Sequence, residues 1–231
     1  MSLSKLRQII LLKRALGYSG MGRFRRNKSG AAAVEFALIL PVMLLLYIGT
    51  SELTYGLMAN RKMTLVSRAL SDLTAQWNEA TITDAELTRS FSAAAAIMSP
   101  FAATDLKMTI SSIEFRPNTA TPPVYTARTM WSATSNGGVQ RPCQVLTKVS
   151  NTSKPTPTTL PTGLYGPGTI IVADVTFRYD PPFGKHLLSW SETASGIDFA
   201  NSTYMKPRTQ DTIAYTTASP PTGRFKCSYS S

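Results

Sequence analysis

The residues most suited to a chemical role lie around Gly30. This glycine precedes an apolar run, residues 31–49, whose one charged residue is Glu35 at the fifth position. A carboxylate costs about 2.5–3.5 kcal/mol at the centre of a membrane helix and less near the interface. Cleavage between Gly30 and Ala31 would create an α-amino group with a reference pKa of about 8. We expect Glu35 to pair with that amine on a neighbouring chain; a Glu that snorkels to the interface is the simpler alternative.

The first 30 residues carry a concentrated positive charge. They contain no acidic residue, and the net charge of the chain is +11. Because this segment contributes +8, the remaining residues carry only +3. We therefore expect no nucleic-acid partner, since the basicity is local. The eight basic residues are Lys5, Arg7, Lys13, Arg14, Arg23, Arg25, Arg26 and Lys28.

Residues 31–50 have the length of a membrane helix. At about 1.5 Å per residue they cover roughly 30 Å, the thickness of the bilayer hydrocarbon. Positive charge on the N-terminal side predicts a cytoplasmic leader and a periplasmic domain from residue 51 onward. Arg61, Lys62 and Arg68 oppose this orientation but are outnumbered. A secretory signal cut near residues 49–51 is an alternative, although the apolar run is long for one.

The leader itself divides in two. Apolar residues recur at near-helical spacing among the basic ones, which predicts a short amphipathic helix at the inner membrane surface. Residues 17–30 are rich in Gly, Ser and Arg, so we expect an extended backbone accessible to a peptidase. The apolar residues of the helix are Leu3, Leu6, Ile9, Ile10 and Leu16.

Two helices are predicted beyond the leader. One long helix runs from about residue 31 to residue 77, with a kink at Pro41, and its outer half packs on the soluble domain. Thr83 and Glu86 form a capping box that begins a second helix, which Pro100 ends. Apolar positions of the long helix past Gly49 are Leu53, Leu57, Val66, Leu70, Leu73 and Trp77, and those of the second helix are Leu87, Phe91, Ala94 and Met98.

The rest of the chain has the alternating apolar pattern that is typical of strands. In residues 106–115 the alternation changes parity between Ile110 and Ile113, which indicates a bulge. The fold class is therefore α+β, with an antiparallel sheet packed against the outer part of the long helix. Further strands are predicted at 124–131, 169–179, 204–206 and 212–215, with a turn at 136–138 and a loop at 152–166. The predicted domains are a leader (1–30), a transmembrane helix (31–50), its periplasmic extension (51–80) and a soluble head (81–231).

The sequence offers no catalytic motif, so we expect no enzyme activity, cofactor or metal. The one histidine, His186, follows a Pro-Pro-Phe-Gly turn and is typical of a surface residue. Asp174 and Asp180 flank a predicted strand, where acids are usually solvated. Cys143 and Cys227 lack zinc-ligand spacing. In an oxidising compartment they could form a disulfide that holds the C-terminus, or remain unrelated buried thiols.

The segment 23–76 resembles the TadE-like family of the tight-adherence (Flp) pilus system. The residues that carry the resemblance are Arg-Phe-Arg-Arg-Asn-Lys-Ser-Gly-Ala-Ala-Ala-Val-Glu-Phe-Ala-Leu-Ile-Leu-Pro at 23–41 and a block from Glu52-Leu-Thr-Tyr to Ser-Asp-Leu-Thr-Ala-Gln76. The Gly-x-x-x-x-Glu spacing is shared with type IV prepilins in general, and the Ala-Val-Glu-Phe-Ala-x-x-x-Pro continuation is more specific. Residues 169–183 and 205–208 are similar more weakly.

The resemblance implies a minor pilin or pseudopilin of the bacterial inner membrane that supports pilus assembly. Gly30 would be the last residue of the leader cut by a prepilin peptidase, Ala31 the mature N-terminus and Glu35 the packing carboxylate. The implied partners are other pilins and the Tad assembly platform. Because the head is far larger than a shaft pilin, a tip, base or initiation complex suits it better. The alternative is an uncleaved, signal-anchored periplasmic binding or adhesion module.

Overall fold

The computed structural model describes residues 29–183, 196–217 and 219–229. The predicted amphipathic helix of the leader and His186 lie outside the described residues. Contacts within the chain divide it between Ser51 and Glu52. The domain boundaries predicted from the sequence remain predictions, and the two units are described separately below.

Helix α1 spans Ser29–Ala75 and continues through Pro41. It begins two residues before the predicted start, so Ser29 and Gly30 are helical and not extended. Within the second unit, α1 buries Ala59, Met63, Val66 and Leu70, which recur three or four residues apart as one helical face requires. Leu53 and Leu57, which belong to the same helix, are exposed instead. Burial of apolar side chains of α1 in the head therefore begins at about residue 59.

Helix α2 spans Asp84–Ala96 and has the predicted Thr-x-x-Glu capping box. The backbone N–H of Thr83 donates to a Glu86 carboxylate oxygen at 2.7 Å. The predicted apolar stripe, Leu87, Phe91, Ala94 and Met98, is buried. At the other end, the Lys62 ammonium of α1 donates to the carbonyl of Ile97 at 3.0 Å. A cation is favourable there, because the C-terminus of a helix carries partial negative charge.

The main sheet has the order β7-β6-β2-β3-β9 among the described strands, and all its neighbours are antiparallel. This architecture confirms the α+β prediction. Two short parallel pairs, β1 with β8 and β4 with β5, lie outside it. The strands are β1 Thr81–Ile82, β2 Leu106–Pro117, β3 Tyr125–Ser135, β4 Thr147–Val149, β5 Thr159–Pro161, β6 Gly168–Tyr179, β7 Ile197–Met205, β8 Ala214–Tyr215 and β9 Arg224–Lys226.

The predicted irregularity in β2 is present, although the parity change has a different cause. The register against β3 shifts between Ser112 and Ile113, with Met130 as the extra residue of β3. Pairing of β2 with β6 has no shift at this point. Met108 and Ile110 belong to the core shared with the helices, and Ile113 and Phe115 to a second core on the opposite face. The apolar side chains change parity because both faces of the sheet are buried.

The second face of the sheet is covered in part by the segment predicted as a loop, residues 152–166. Residues 152–166 contain β5, whose Leu160 is buried beside Leu146, Ile170 and Val172. Most of the predicted loop at 152–166 is irregular as expected, but it also contains β5 and buries Leu160. A Thr-, Pro- and Gly-rich composition gives little strand signal, and the pairing of β4 with β5 is short and local.

The C-terminal segment ties several elements together. Cys143 and Cys227 are joined in a disulfide across 84 residues of sequence. Next to it, β9 pairs with β3. Upstream, the backbone N–H of Arg208 donates to the carbonyl of Ala75 at 2.8 Å, and the Trp131 indole donates to the carbonyl of Ile213 at 2.7 Å. The end of the chain thus contacts α1, the sheet and the segment around Cys143.

Candidate functional site

The junction predicted for cleavage lies in the first turn of α1. Gly30 and Ala31 are both exposed, and a Cβ placed on Gly30 would meet no atom within 4 Å among the described residues. The first four N–H groups of a helix have no partner within the helix. Unwinding this turn to present an extended backbone therefore costs few hydrogen bonds. An extended state at Gly30, predicted from composition, would require that local opening.

Glu35 lies one helical turn beyond Ala31. Residues four apart share a face of a helix, with Cβ atoms about 6 Å apart. Glu35 is exposed in this single chain and is the one charged residue of the sequence between Gly30 and Ser51. The structure therefore places the Glu35 carboxylate one helical turn from the junction predicted for cleavage and leaves it exposed in this single chain. Its role as a packing carboxylate remains a prediction.

The apolar part of α1 is exposed to an unusual degree. Helix residues Gly30–Ala75 include a strongly apolar window, and none of that window is buried. A core helix of a soluble protein would be largely buried, so this exposure is compatible with a single-pass membrane anchor. Pro41 lies within it and has no N–H to donate to the carbonyl of Ala37. The helix assignment is unbroken there, and the kink stays a prediction.

A buried ion pair fastens the second face of the head's sheet. The guanidinium of Arg141 is 0% exposed and donates to both carboxylate oxygens of Asp174, at 2.7 and 3.0 Å. It also donates to the carbonyl of Thr159 at 3.0 Å, and the Ser202 hydroxyl donates to Asp174. The prediction that Asp174 is a solvated strand-end residue is wrong, because it lies inside β6. Sequence alone could not pair residues 33 positions apart.

A second polar cluster joins the start of α2 to the C-terminal segment. The carboxylate of Asp84 accepts hydrogen bonds from the Tyr215 hydroxyl and from Arg224, the latter at 2.7 Å. Burial acts to raise the pKa of Asp84, but these hydrogen bonds outweigh it and hold the pKa below its ordinary value. Burial, together with the nearby Asp84, raises the pKa of Tyr215 to about 12. The cluster therefore ties the start of α2 to the C-terminal segment.

The described residues contain no group of three or more His, Cys, Asp or Glu side chains that could hold a metal ion. Two open cavities of the described head are each lined by a mixture of polar, charged and apolar side chains. The larger, of about 470 Å³, lies over the end of β6 and β7 and is lined by Lys107, Arg178 and Asp198 among others. Arg178 is already shared between Asp180 and Asp198, each at 3.4 Å. We assign neither cavity a ligand.

Comparison with known families identifies the N-terminal part of the chain. The model of the TadE-like protein family matches residues 30–71. Over this segment the chain is TadE-like. The match confirms the resemblance stated from the sequence, and the family suggests a protein associated with the Tad pilus. No curated protein and no solved structure matches the chain.

The TadE-like segment contains Gly30, Ala31, Glu35 and Pro41, and it ends within the part of α1 that packs on the head. The head beyond residue 71, including both cysteines, lies outside the match. The site residues predicted from the sequence therefore fall into two separate groups. The first four lie on the exposed helix, whereas Cys143 and Cys227 belong to the head and take no part in that site.

The TadE-like segment also makes a contact that sequence reasoning missed. The backbone N–H of Phe183 donates to the Glu52 carboxylate at 2.6 Å. A Cβ on Gly56 would lie 3.5 Å from the ring of Tyr179, an ordinary van der Waals distance, so the ring lies directly beside this turn of α1. Burial raises the pKa of Tyr179, and Glu52 and Tyr55 add to the shift. The weak resemblance at residues 169–183 was the available signal, since its last residues contact the Glu52-Leu-Thr-Tyr55 block.

Proposed function

We propose that this chain is a membrane-anchored minor pilin or pseudopilin that supports assembly of a Tad/Flp-type pilus. It is inserted with its leader in the cytoplasm and its head in the periplasm, and a prepilin peptidase cleaves it after Gly30. The observation that carries the proposal is the TadE-like match over residues 30–71, which begins at the junction itself. The partners in this proposal are the inner membrane, the peptidase, other pilins and the Tad assembly platform.

The electrostatics of the first two turns support this role. After cleavage, the new ammonium at Ala31 and the Glu35 carboxylate would lie on the same face of the helix, about 6 Å apart. Between packed helices in a medium of low dielectric constant, an amine–carboxylate pair is far stronger than in water. Each neighbouring chain that contributes one partner would thus be held at a fixed axial position. The same spacing lets a chain pair with itself, but only a pair between chains sets their register.

The head argues against a place in the filament shaft. The second unit, Glu52–Ser231, carries its own two-sided core and a disulfide. A unit of this size repeated at every position would crowd a shaft, whereas a tip, base or initiation complex contains few copies. An uncleaved, signal-anchored binding or adhesion module is the second candidate. The exposed apolar helix and the separate head favour it equally, and only cleavage distinguishes the two.

Mapping of the N-terminus tests the proposal directly. The full chain is expressed in cells with and without a prepilin peptidase, purified from membranes and analysed by intact-mass and N-terminal peptide mass spectrometry. We expect a start at Ala31 only when the peptidase is present. Gly30→Leu should block cleavage, and Gly49→Leu, the matched control, should not. An intact N-terminus in cells with active peptidase would refute the minor-pilin proposal and favour the anchored module.

The role of Glu35 is tested by substitution. Glu35→Ala and Glu35→Gln should insert into the membrane and be cleaved normally, because neither lowers the apolarity of the span. Both should lose co-purification with partner pilins, since each removes the charge that pairs with the amine. Val34→Ala, on the adjacent position, is the control and should retain it. Normal assembly of the Glu35→Gln variant would rule out the charge pair.

A further inference from the structure

Exposed apolar side chains of the head are concentrated near the point where the chain enters it. Among the described residues from Glu52 onward, large exposed apolar residues are uncommon on most of the surface. Six of them belong to the first turns of α1 in this unit or to the ends of β6 and β7, and the remaining four, Leu65, Val124, Val139 and Val145, are scattered. The six are Leu53, Tyr55, Leu57, Met58, Phe183 and Ile197.

The structure fixes how these side chains come together. The hydrogen bond from Phe183 to Glu52 holds the segment after β6 against α1. The ring of Phe183 is nevertheless 55% exposed. Ile197, which is 52% exposed, pairs with Tyr179 in the sheet, and Tyr179 in turn packs against Gly56. Two distant parts of the sequence therefore place apolar side chains beside the same stretch of helix.

The position of this stretch relative to the bilayer follows from chain length. The hydrocarbon is about 30 Å thick and the whole bilayer about 40–45 Å, which leaves roughly 5–7 Å of headgroup region on each side. Leu53 and Tyr55 lie three and five residues past the end of the 31–50 span, so at about 1.5 Å per residue they are roughly 4–8 Å beyond the hydrocarbon. Glu52, which holds Phe183, is closer still. Tyr and Trp side chains are enriched at this depth, because their amphipathic rings suit the headgroup level.

We propose that Leu53, Tyr55, Phe183 and Ile197 form a collar that inserts into the lipid headgroup region of the membrane that the anchor spans. The collar gives the head a second attachment besides the helix, and so limits its tilt and rotation at the membrane. The occupant is lipid because Leu53 and Tyr55 follow within a few residues of sequence an apolar stretch of which none is buried. Three carboxylates lie near these residues: Glu52 accepts the hydrogen bond from Phe183, and Asp180 and Asp198 each lie 3.4 Å from Arg178, which reduces their repulsion of lipid phosphates.

The proposal rests on the membrane anchor of the proposed function, and one fluorescence experiment separates the two. The full chain is reconstituted in phosphatidylcholine vesicles with or without bromine atoms near the headgroup end of the acyl chains. Bromine quenches Trp emission only at short range. Three variants each add one Trp: Phe183→Trp in the collar, Phe36→Trp in the span and Val139→Trp on a remote exposed position. The emission of the unmodified chain is subtracted, and disulfide formation verifies folding.

We expect bromolipid to remove the added emission of Phe36→Trp and Phe183→Trp and to leave that of Val139→Trp unchanged. Ile197→Trp provides a second collar position and should behave like Phe183→Trp. If Phe183→Trp and Ile197→Trp behave like Val139→Trp while Phe36→Trp is quenched, the anchor stands and the collar is refuted. Equal quenching at all positions also refutes it, because the contact is then not confined to the collar. An unquenched Phe36→Trp would instead refute the anchor itself.

Discussion

The buried Arg141–Asp174 pair should be the most costly single interaction to break in the head. In Asp174→Asn the shape of the side chain is kept, but the 0%-exposed guanidinium loses its counter-charge. Removal of one partner from a buried pair costs about 3–5 kcal/mol, since the other charge remains desolvated. Domains are stable by about 5–15 kcal/mol in total. The loss is therefore a large part of the free energy of unfolding.

The assay is urea denaturation of the full chain in detergent micelles, followed by the fluorescence of its three tryptophans, of which Trp131 is buried in the head. With a denaturant slope of about 2 kcal/mol per molar, the midpoint should fall by about 1.5–2.5 M. Asp180→Asn is the matched control. Its carboxylate is 51% exposed and 3.4 Å from Arg178, so its removal should cost less than about 1 kcal/mol.

A double variant tests the physical reason. Arg141→Met combined with Asp174→Leu removes both charges and leaves apolar side chains of similar size. Because no charge is then left unpaired, this variant should lose less stability than Asp174→Asn alone. If Asp174→Asn is no worse than Asp180→Asn, or if the double variant is the least stable, desolvation of Arg141 is not what makes the pair important.

Three further predictions concern the head. The double variant Cys143→Ser, Cys227→Ser should lower the free energy of unfolding by about 4–5 kcal/mol in the chain-entropy model for a loop of this length. The same urea assay measures this loss, and an equal midpoint for oxidised and reduced protein would contradict it. Because the pKa of Tyr215 is raised to about 12 in the folded state, the unfolded chain releases this proton at a lower pH, and stability should fall as pH rises from about 10 toward 12. Urea midpoints of Tyr215→Phe across this range should show a flatter slope, and an unchanged slope would exclude Tyr215 as a cause. Gly56→Ala should be neutral or stabilise α1 by up to about 1 kcal/mol, because its Cβ makes an ordinary contact with Tyr179. Gly56→Leu should displace that ring and lower the thermal midpoint, and equal midpoints for the two variants would show that the ring does not need the space.

Local signals in the sequence predicted several elements well. The Thr83–Glu86 capping box and the α2 stripe are present as expected, because both depend on residues within two or three turns of each other. The strand at 169–179 differs from β6 by one residue at its start. The register shift after Ser112 was expected as well, although the parity change reflects a second buried face.

Other elements were missed because their partners are far away in the sequence. Strand β7 begins at Ile197, seven residues before the predicted start, and its pairing with β6 supplies the stability that its own composition does not. Strand β9, with three residues, exists through its pairing with β3. The ion pair between Arg141 and Asp174 joins residues that are 33 positions apart, and no local pattern in the sequence predicts it.

By itself, the sequence determined the long apolar helix and predicted the junction: a basic N-terminal segment, Gly30, and an apolar helix with a carboxylate at its fifth position. These properties depend on composition and spacing along one helix, which needs no tertiary partner to satisfy its backbone. Only the tertiary structure decided that both faces of the sheet are covered, that Cys143 meets Cys227, and that Phe183 lies beside Glu52. Each of those contacts joins residues tens to more than a hundred positions apart, and their free energy is gained only when the whole head has packed.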